Sequence, residues 1–335
     1  MLGWQGYLQA REQAPAAEGV QAKFAGAAAV GLEHLGLPGA TDDLAQLIAA
    51  ATGALADAEA FFASPPPPSF HRQGTMLTFD SPGGGVGLNA IARAQIYQAR
   101  RRDRAIVLLP YWNAKRAHGR AFGALLARRG ITCVQLSLPY HDERGTAGIG
   151  FARELACENL GLTIHANRQA VLDARACLSW LEQEGYARIG IVGLSIGASI
   201  ASIVAAVDAR VRAAALLLMA DDFAEVVWTG SATRHVRSSL EHAFSREDVR
   251  AAWRIISPAG HAARLSKRLD RLLIVSGALD TVFLPALTRA YVERLRGLGI
   301  DPTWIQLGCG HYTLGMPLYA ARCFLRTLAH LRACL

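Results

Sequence analysis

The chain has 335 residues, of which 52% are hydrophobic and 19% charged, and its 32 Gly and 13 Pro follow no collagen-like period, so disordered and fibrous classes are excluded. The formal net charge is +8, but the basic residues are nearly all Arg, with only 3 Lys, and are scattered over predicted helices and loops. The one dense run, Arg100-Arg101-Arg102-Asp103-Arg104, lacks the interleaved aromatics of a nucleic-acid surface and reads as a solvated turn, so no nucleic-acid partner is expected.

At this length one domain with an appendage, or two domains, is expected. Residues 1–62 are Ala-rich with helical spacing, and Thr41-Asp42-Asp43 stands as an N-cap region before Leu44, Leu47 and Ile48. The run Pro65-Pro66-Pro67-Pro68 stops this segment and reads as a stiff spacer, which divides the chain into an appendage with linker, 1–68, and a main body, 69–335. The appendage's apolar residues, Leu32, Leu35, Leu37, Leu44, Leu47, Ile48, Leu55, Phe61 and Phe62, are too few for a core of their own. Docking on the chain's own body is the first expectation; a homo-oligomer joined through these helices is the other.

From residue 76 the texture changes to short apolar runs alternating with amphipathic helices. Strands are predicted at 76–79 and 92–97, joined through Gly83-Gly84-Gly85, then at 105–109, 131–136, 189–192, 212–218, 272–275 and 303–307. Helices are predicted at 119–129, 166–184, 196–207, 285–296 and 317–332. Apolar strands bounded by helices, repeated this often, imply an α/β fold with a mostly parallel sheet covered on both faces. Between 221 and 264, Phe223, Val226, Val227, Trp228, Leu240, Phe244 and Trp253 recur at helical spacing among charged residues, which suggests short helices forming a lid over a crevice.

The chemistry concentrates in Ile189-Gly190-Ile191-Val192-Gly193-Leu194-Ser195-Ile196-Gly197, a buried strand running into G-x-S-x-G and then a small-residue helix. A nucleophile presented on so sharp a turn needs Gly193 and Gly197, because side chains there would collide with the flanking strand and helix. A serine hydroxyl also needs a base near neutral pH, and the base an orienting carboxylate. Asp280 lies just beyond the 272–275 strand and His311 in the loop after the last one. Loops at the carboxyl ends of parallel strands converge on one crevice, so Ser195, Asp280 and His311 can meet there.

At these residues the chain resembles the α/β-hydrolase superfamily, in its esterase, dienelactone-hydrolase-like and acyl-peptidase-like part, over about residues 75–335 and including the order Ser, Asp, His. The resemblance implies Ser195 as nucleophile, His311 as general base and later acid, and Asp280 as its partner; Asp221 and Asp222, at the end of the 212–218 strand, are the alternative acids. It also implies an oxyanion hole with one N–H from Ile196 and another from the loop after Ile106-Val107-Leu108-Leu109. That loop departs from the family's His-Gly, being Pro110-Tyr111-Trp112-Asn113; matching Pro110 to the usual His makes Trp112 the donor and Tyr111 the second choice. The stretch 139–144, with His141 and Asp142, follows the next strand and reads as pocket wall rather than a second catalytic pair.

The implied reaction is cleavage of a small-molecule or lipid-like carboxylic ester through an acyl-enzyme. A thioesterase, amidase or acyltransferase would use the same parts, and a non-catalytic binding protein that retains the fold is the rival class. No H-E-x-x-H, paired Cys or carboxylate–His cluster is visible, and Gly83-Gly84-Gly85 lacks the Lys of a P-loop, so no metal and no cofactor are expected. Cys133, Cys157, Cys177, Cys309, Cys323 and Cys334 follow neither CxxC spacing nor a small-domain framework and read as thiols of a reducing compartment. With no signal-peptide pattern, and with Asp57 and Glu59 breaking the Ala-rich 44–60 stretch, a cytoplasmic chain without a spanning helix is expected.

Overall fold

The computed structural model describes residues 3–17, 26–36, 42–63, 66–145, 151–269 and 271–335. Thr41, Leu37 and Pro65, singled out from the sequence, lie outside the described residues. Nine strands form one sheet: β1 (His71–Gln73), β2 (Met76–Asp80), β3 (Ile91–Tyr97), β4 (Arg104–Leu109), β5 (Thr132–Leu136), β6 (Arg188–Leu194), β7 (Val211–Leu217), β8 (Leu272–Gly277) and β9 (Thr303–Leu307). Their order is β1-β2-β3-β5-β4-β6-β7-β8-β9. The first three strands pair antiparallel, as does β3 with β5, and every pair from β5 through β4 to β9 is parallel.

The parallel part is apolar on both faces, as strands sandwiched between helices must be. In β4, Ala105, Val107 and Leu109 join one core while Ile106 and Leu108 join the other. Twelve helices complete the described residues: α1 (Trp4–Ala17), α2 (Leu44–Ala56), α3 (Ala58–Phe61), α4 (Arg120–Arg128), α5 (Leu160–Gln183), α6 (Ile196–Val207), α7 (Phe223–Thr229), α8 (Arg234–Leu240), α9 (Arg246–Ala252), α10 (Pro258–Arg268), α11 (Pro285–Gly297) and α12 (Pro317–Cys334). The cores divide the helices: α5, α6, α10 and α11 supply the first, α4 and α12 the second. Proline at the first turn of α10, α11 and α12 costs no hydrogen bond, because those amides have no intrahelical acceptor.

Two local differences from the sequence reading have clear causes. Helix α5 starts at Leu160 rather than 166, because the Asn159 side chain accepts from Leu162 N–H at 2.8 Å and caps an earlier turn. Strand β1 is exposed and polar throughout, so no alternation marks it. Of the helices expected over the crevice, α10 packs along α6, and Trp253 and Phe223 meet edge-to-face at 5.6 Å within the core.

Residues 26–36 and 42–62 dock on this body. Leu32, Leu47, Ala51 and Phe62 are buried in the same core as Trp253, Ile255 and Ala262. Arginines of the body close the backbone ends: Arg168 donates to Phe61 O at 2.7 Å and Arg264 to Leu55 O at 2.8 Å. All six cysteines are unpaired, five of them buried. Among the described residues no helix is long and apolar enough to cross a membrane. Because Phe62 is fully buried at this junction, Phe62→Ala should lower unfolding stability by about 3 kcal/mol in urea titration. An unchanged midpoint would mean that the segment contributes nothing to the core.

Candidate active site

Strand β4 is the switch point of the sheet, since α4 carries the chain to β5 on one side and α5 carries it back to β6 on the other. Crevices in open α/β sheets form at the carboxyl ends of strands at such points. There Ser195 joins β6 to α6 with φ 59° and ψ −124°, a conformation that a side-chain-bearing residue adopts only when its surroundings enforce it. Ser195 N–H donates to Leu217 O at 2.8 Å, and Ser195 O accepts from Ala198 N–H at 2.7 Å. A Cβ at Gly193 would run into the backbone of Gly197 and Ala198, and one at Gly197 into the carbonyls of Leu109 and Pro110.

The other two residues arrive on adjacent loops stitched together beyond the ends of β8 and β9. Ala278 N–H donates to Leu307 O at 2.8 Å and Leu279 N–H to Cys309 O at 2.9 Å. Asp280 Oδ1 accepts from the N–H groups of Val282 and Phe283 at 2.9 and 2.7 Å. This leaves Oδ2 to accept from His311 Nδ1 at 2.9 Å, and His311 Nε2 lies 2.9 Å from Ser195 Oγ. With Nδ1 protonated toward the carboxylate, Nε2 is the acceptor for the serine hydroxyl. The Phe283 ring lies 5.2 Å from the imidazole. Asp221 instead faces Arg294 at 3.5 Å, and Asp222 caps α7 by accepting from Glu225 N–H at 3.1 Å.

Opposite Ser195, the close approach of Gly197 sets the loop after β4 against the first turn of α6, where the Ile196 amide sits. Asn113 is left-handed at φ 62°, and its N–H donates to His141 Nε2 at 2.9 Å. Of the amides following Pro110, this leaves those of Tyr111 and Trp112. Side chains tie the loop to the next one: Trp112 Nε1 donates to Ala152 O at 2.6 Å, Asn113 Oδ1 accepts from Ala152 N–H at 2.8 Å, and Asp142 accepts from Arg116 N–H at 2.9 Å. Tyr111 OH meets His118 Nδ1 at 2.7 Å. Trp112 also packs on Phe151, at 4.9 Å, and stacks parallel with His235 of α8.

The holding role of His141 was not readable from the sequence. Its Nδ1–H donates to Pro139 O at 2.8 Å, which fixes the tautomer that accepts from Asn113, and burial lowers its pKa to about 4. The one available signal was that loops following two neighbouring parallel strands must lie side by side. Among the described residues no group of three His, Cys, Asp or Glu side chains could hold a metal ion.

A sequence profile of the family described as "Alpha/beta hydrolase domain containing 18" matches residues 92–257, about half of the chain and the part that carries β3 to β7 and the Ser195 turn. The chain belongs to the α/β-hydrolase superfamily. An uncharacterized protein of Mycobacterium tuberculosis strain H37Rv is 35% identical over 107 residues, 32% of this chain and 26% of that protein. The match thus spans about a quarter of its length. Among solved structures, this α/β-hydrolase is similar to an acetyl xylan esterase from Paenibacillus, with a TM-score of 0.63 and 14% identity over 84% of this chain and 93% of that one. A Pyrococcus horikoshii acylaminoacyl peptidase gives 0.58 and 14%, covering 80% of this chain and 41% of the peptidase. A Mycobacterium tuberculosis puromycin-hydrolyzing peptidase gives 0.58 and 18%, covering 82% and 40%. At such identities the likeness is one of fold.

The neutral, buried His141 makes a testable statement about acid stability. In the unfolded chain it takes up a proton near its ordinary pKa of 6.5, whereas folded it resists protonation down to about 4, so stability falls as pH drops through that window. Its share of the slope approaches about 1.4 kcal/mol per pH unit. Urea titrations between pH 7 and pH 5 should therefore find a shallower fall for His141→Asn than for the native chain; equal slopes would contradict the buried neutral imidazole.

Proposed function

We propose that the protein is a serine hydrolase that cleaves a carboxylic ester through an acyl-enzyme intermediate. The observation that carries this reading is the unbroken hydrogen-bond chain from Asp280 through His311 to Ser195 Oγ, with both links at 2.9 Å. Ser195 Oγ attacks the ester carbonyl carbon while His311 Nε2 takes its proton; the resulting oxyanion accepts from the Ile196 amide and from that of Trp112, with Tyr111 the alternative donor. The tetrahedral intermediate collapses, His311 returns the proton to the departing alcohol, and water, activated by the same imidazole, releases the acid. Asp280, anchored by two backbone amides, keeps the imidazole in the tautomer this sequence requires.

A small-molecule or lipid-like acyl ester fits the aromatic wall of Trp112, Phe151 and His235 beside the oxyanion loop. Thioesters, amides and acyl transfer to another acceptor differ only in the leaving group or the second acceptor, and likeness to both an esterase and peptidases keeps amide cleavage as the second reading.

A fluorophosphonate probe should label the native chain, and Ser195→Ala should abolish labelling. On a panel of esters from acetyl to long-chain, Asp280→Asn should fold normally and lose turnover by about 10⁴-fold. A well-folded chain that is never labelled would favour a binding protein, and an active Asp280→Asn beside an inactive Asp221→Asn or Asp222→Asn would reassign the acid.

A further inference from the structure

Helix α1 exposes most of its described side chains, including Trp4 and Tyr7, and buries two, Leu8 and Glu12, one turn apart on the same face. Leu8 joins the core that contains Leu314 and Tyr319, which is an ordinary docking contact. Glu12 is fully buried, and among the described residues no Lys, Arg or His pairs with it. A carboxylate taken out of water without a cation is costly unless its oxygens are fully used.

Among the described residues, all of its hydrogen bonds go to the turn that carries His311. Glu12 Oε1 accepts from Thr313 N–H at 2.7 Å, from Thr313 Oγ1–H at 2.7 Å and from Tyr312 N–H at 3.1 Å, while Oε2 lies 3.2 Å from the same Tyr312 N–H. Because Thr313 Oγ1 gives its proton to the carboxylate, its lone pair accepts from Gly310 N–H at 2.8 Å. Tyr312 and Thr313, after His311, are thus held directly by one acceptor reached from 300 residues away, and Gly310, before it, is held through Thr313 Oγ1. Gly310 answers to the same group, since a Cβ there would overlap the Glu12 carboxyl. Burial, reinforced by the nearby Glu12 charge, pushes the Cys309 thiol up to about 12.

From this geometry we infer that Glu12 is a positioning residue for His311, so that the N-terminal helix completes the active site rather than merely covering the body. The inference rests on the serine-hydrolase reading of Ser195 and His311. Removing the carboxylate leaves three donors of the turn without an acceptor and frees the imidazole to shift away from Ser195 Oγ; displacements of about 1 Å cost on the order of 10²-fold in rate.

The test measures fluorophosphonate labelling of the full-length chain, separating the maximal inactivation rate from the probe's apparent affinity, with folding checked by circular dichroism and Tm. Glu12→Ala should lower the maximal rate by roughly tenfold or more, with affinity within about twofold, and Glu12→Gln, which keeps one acceptor oxygen, should fall between. Leu8→Ala removes the apolar dock alone and should lower Tm while leaving the maximal rate, measured well below that Tm, within about twofold. If Glu12→Ala does not fold, Glu12→Gln compared with Leu8→Ala decides the matter. A Glu12 variant that loses Tm but labels at the native rate would overturn the proposal and leave Glu12 as an anchor. A native chain that is not labelled at all would instead overturn the reading of Ser195, and the role of Glu12 with it.

Discussion

The approach of the first turn of α6 to the ends of β4 and β6 governs the geometry around Ser195. With no side chain at Gly197, the carbonyls of Leu109 and Pro110 pack against the helix start, and with none at Gly193 the chain folds back over its own turn. That contact sets two distances together, from β6 to the serine and from the serine to the loop after β4. The strained backbone of Ser195, of a kind that costs about 1–3 kcal/mol, is held by hydrogen bonds to Leu217 and Ala198 and by a helix buried along its whole length.

From that turn, order spreads through the loops after successive strands. The loop after β4 is tied by Asn113, Trp112 and Arg116 to His141, Asp142 and Ala152, and the stretch that holds His141 and Asp142 is fastened below by Arg144. Arg144 and Asp173 form a fully buried ion pair at 2.8 Å, and the arginine also donates to Ser137 O and Asn89 O. Burial raises the Asp173 pKa, with Arg144 and Ser81 opposing the shift. Such a pair adds little net stability, because desolvation offsets its attraction, but it tolerates only one arrangement of the loop relative to α5. In turn, α5 is seated on the N-terminal segment, since Gly161 lies directly over Gly31 O.

The helices between β7 and β8 are joined by charge as well as by packing. Glu225 of α7 receives both Arg246 and Arg250 of α9, and Arg250 also reaches Asp222 at 3.1 Å. This bundle meets the loop after β4 where His235 stacks on Trp112. Much of the arginine excess in the sequence is spent in this way, on carboxylates and on the carbonyls that end helices, rather than on one basic surface.

What could be read from sequence was local or followed from topology. The Ser195 turn lies within five consecutive residues, so its glycine requirement is visible without knowing what packs on it. Asp280 and His311 could be named because strand ends in a parallel sheet point one way, whatever the detailed packing. The N-cap before Leu44 was visible for the same local reason, as the Asp43 side chain accepts from Gln46 N–H three residues on. Tertiary structure alone decided the rest. That Asn113 gives its amide to His141 depends on the spacing of two loops, and that α5 begins at Leu160 depends on a cap and on the backbone carbonyls of Ala29 and Val30, far earlier in the chain. Glu12 is the extreme case: on its own helix it is one polar residue among several, and only the fold brings it to the amides around His311, because a hydrogen-bond partner is selected by proximity in space and not by order along the chain.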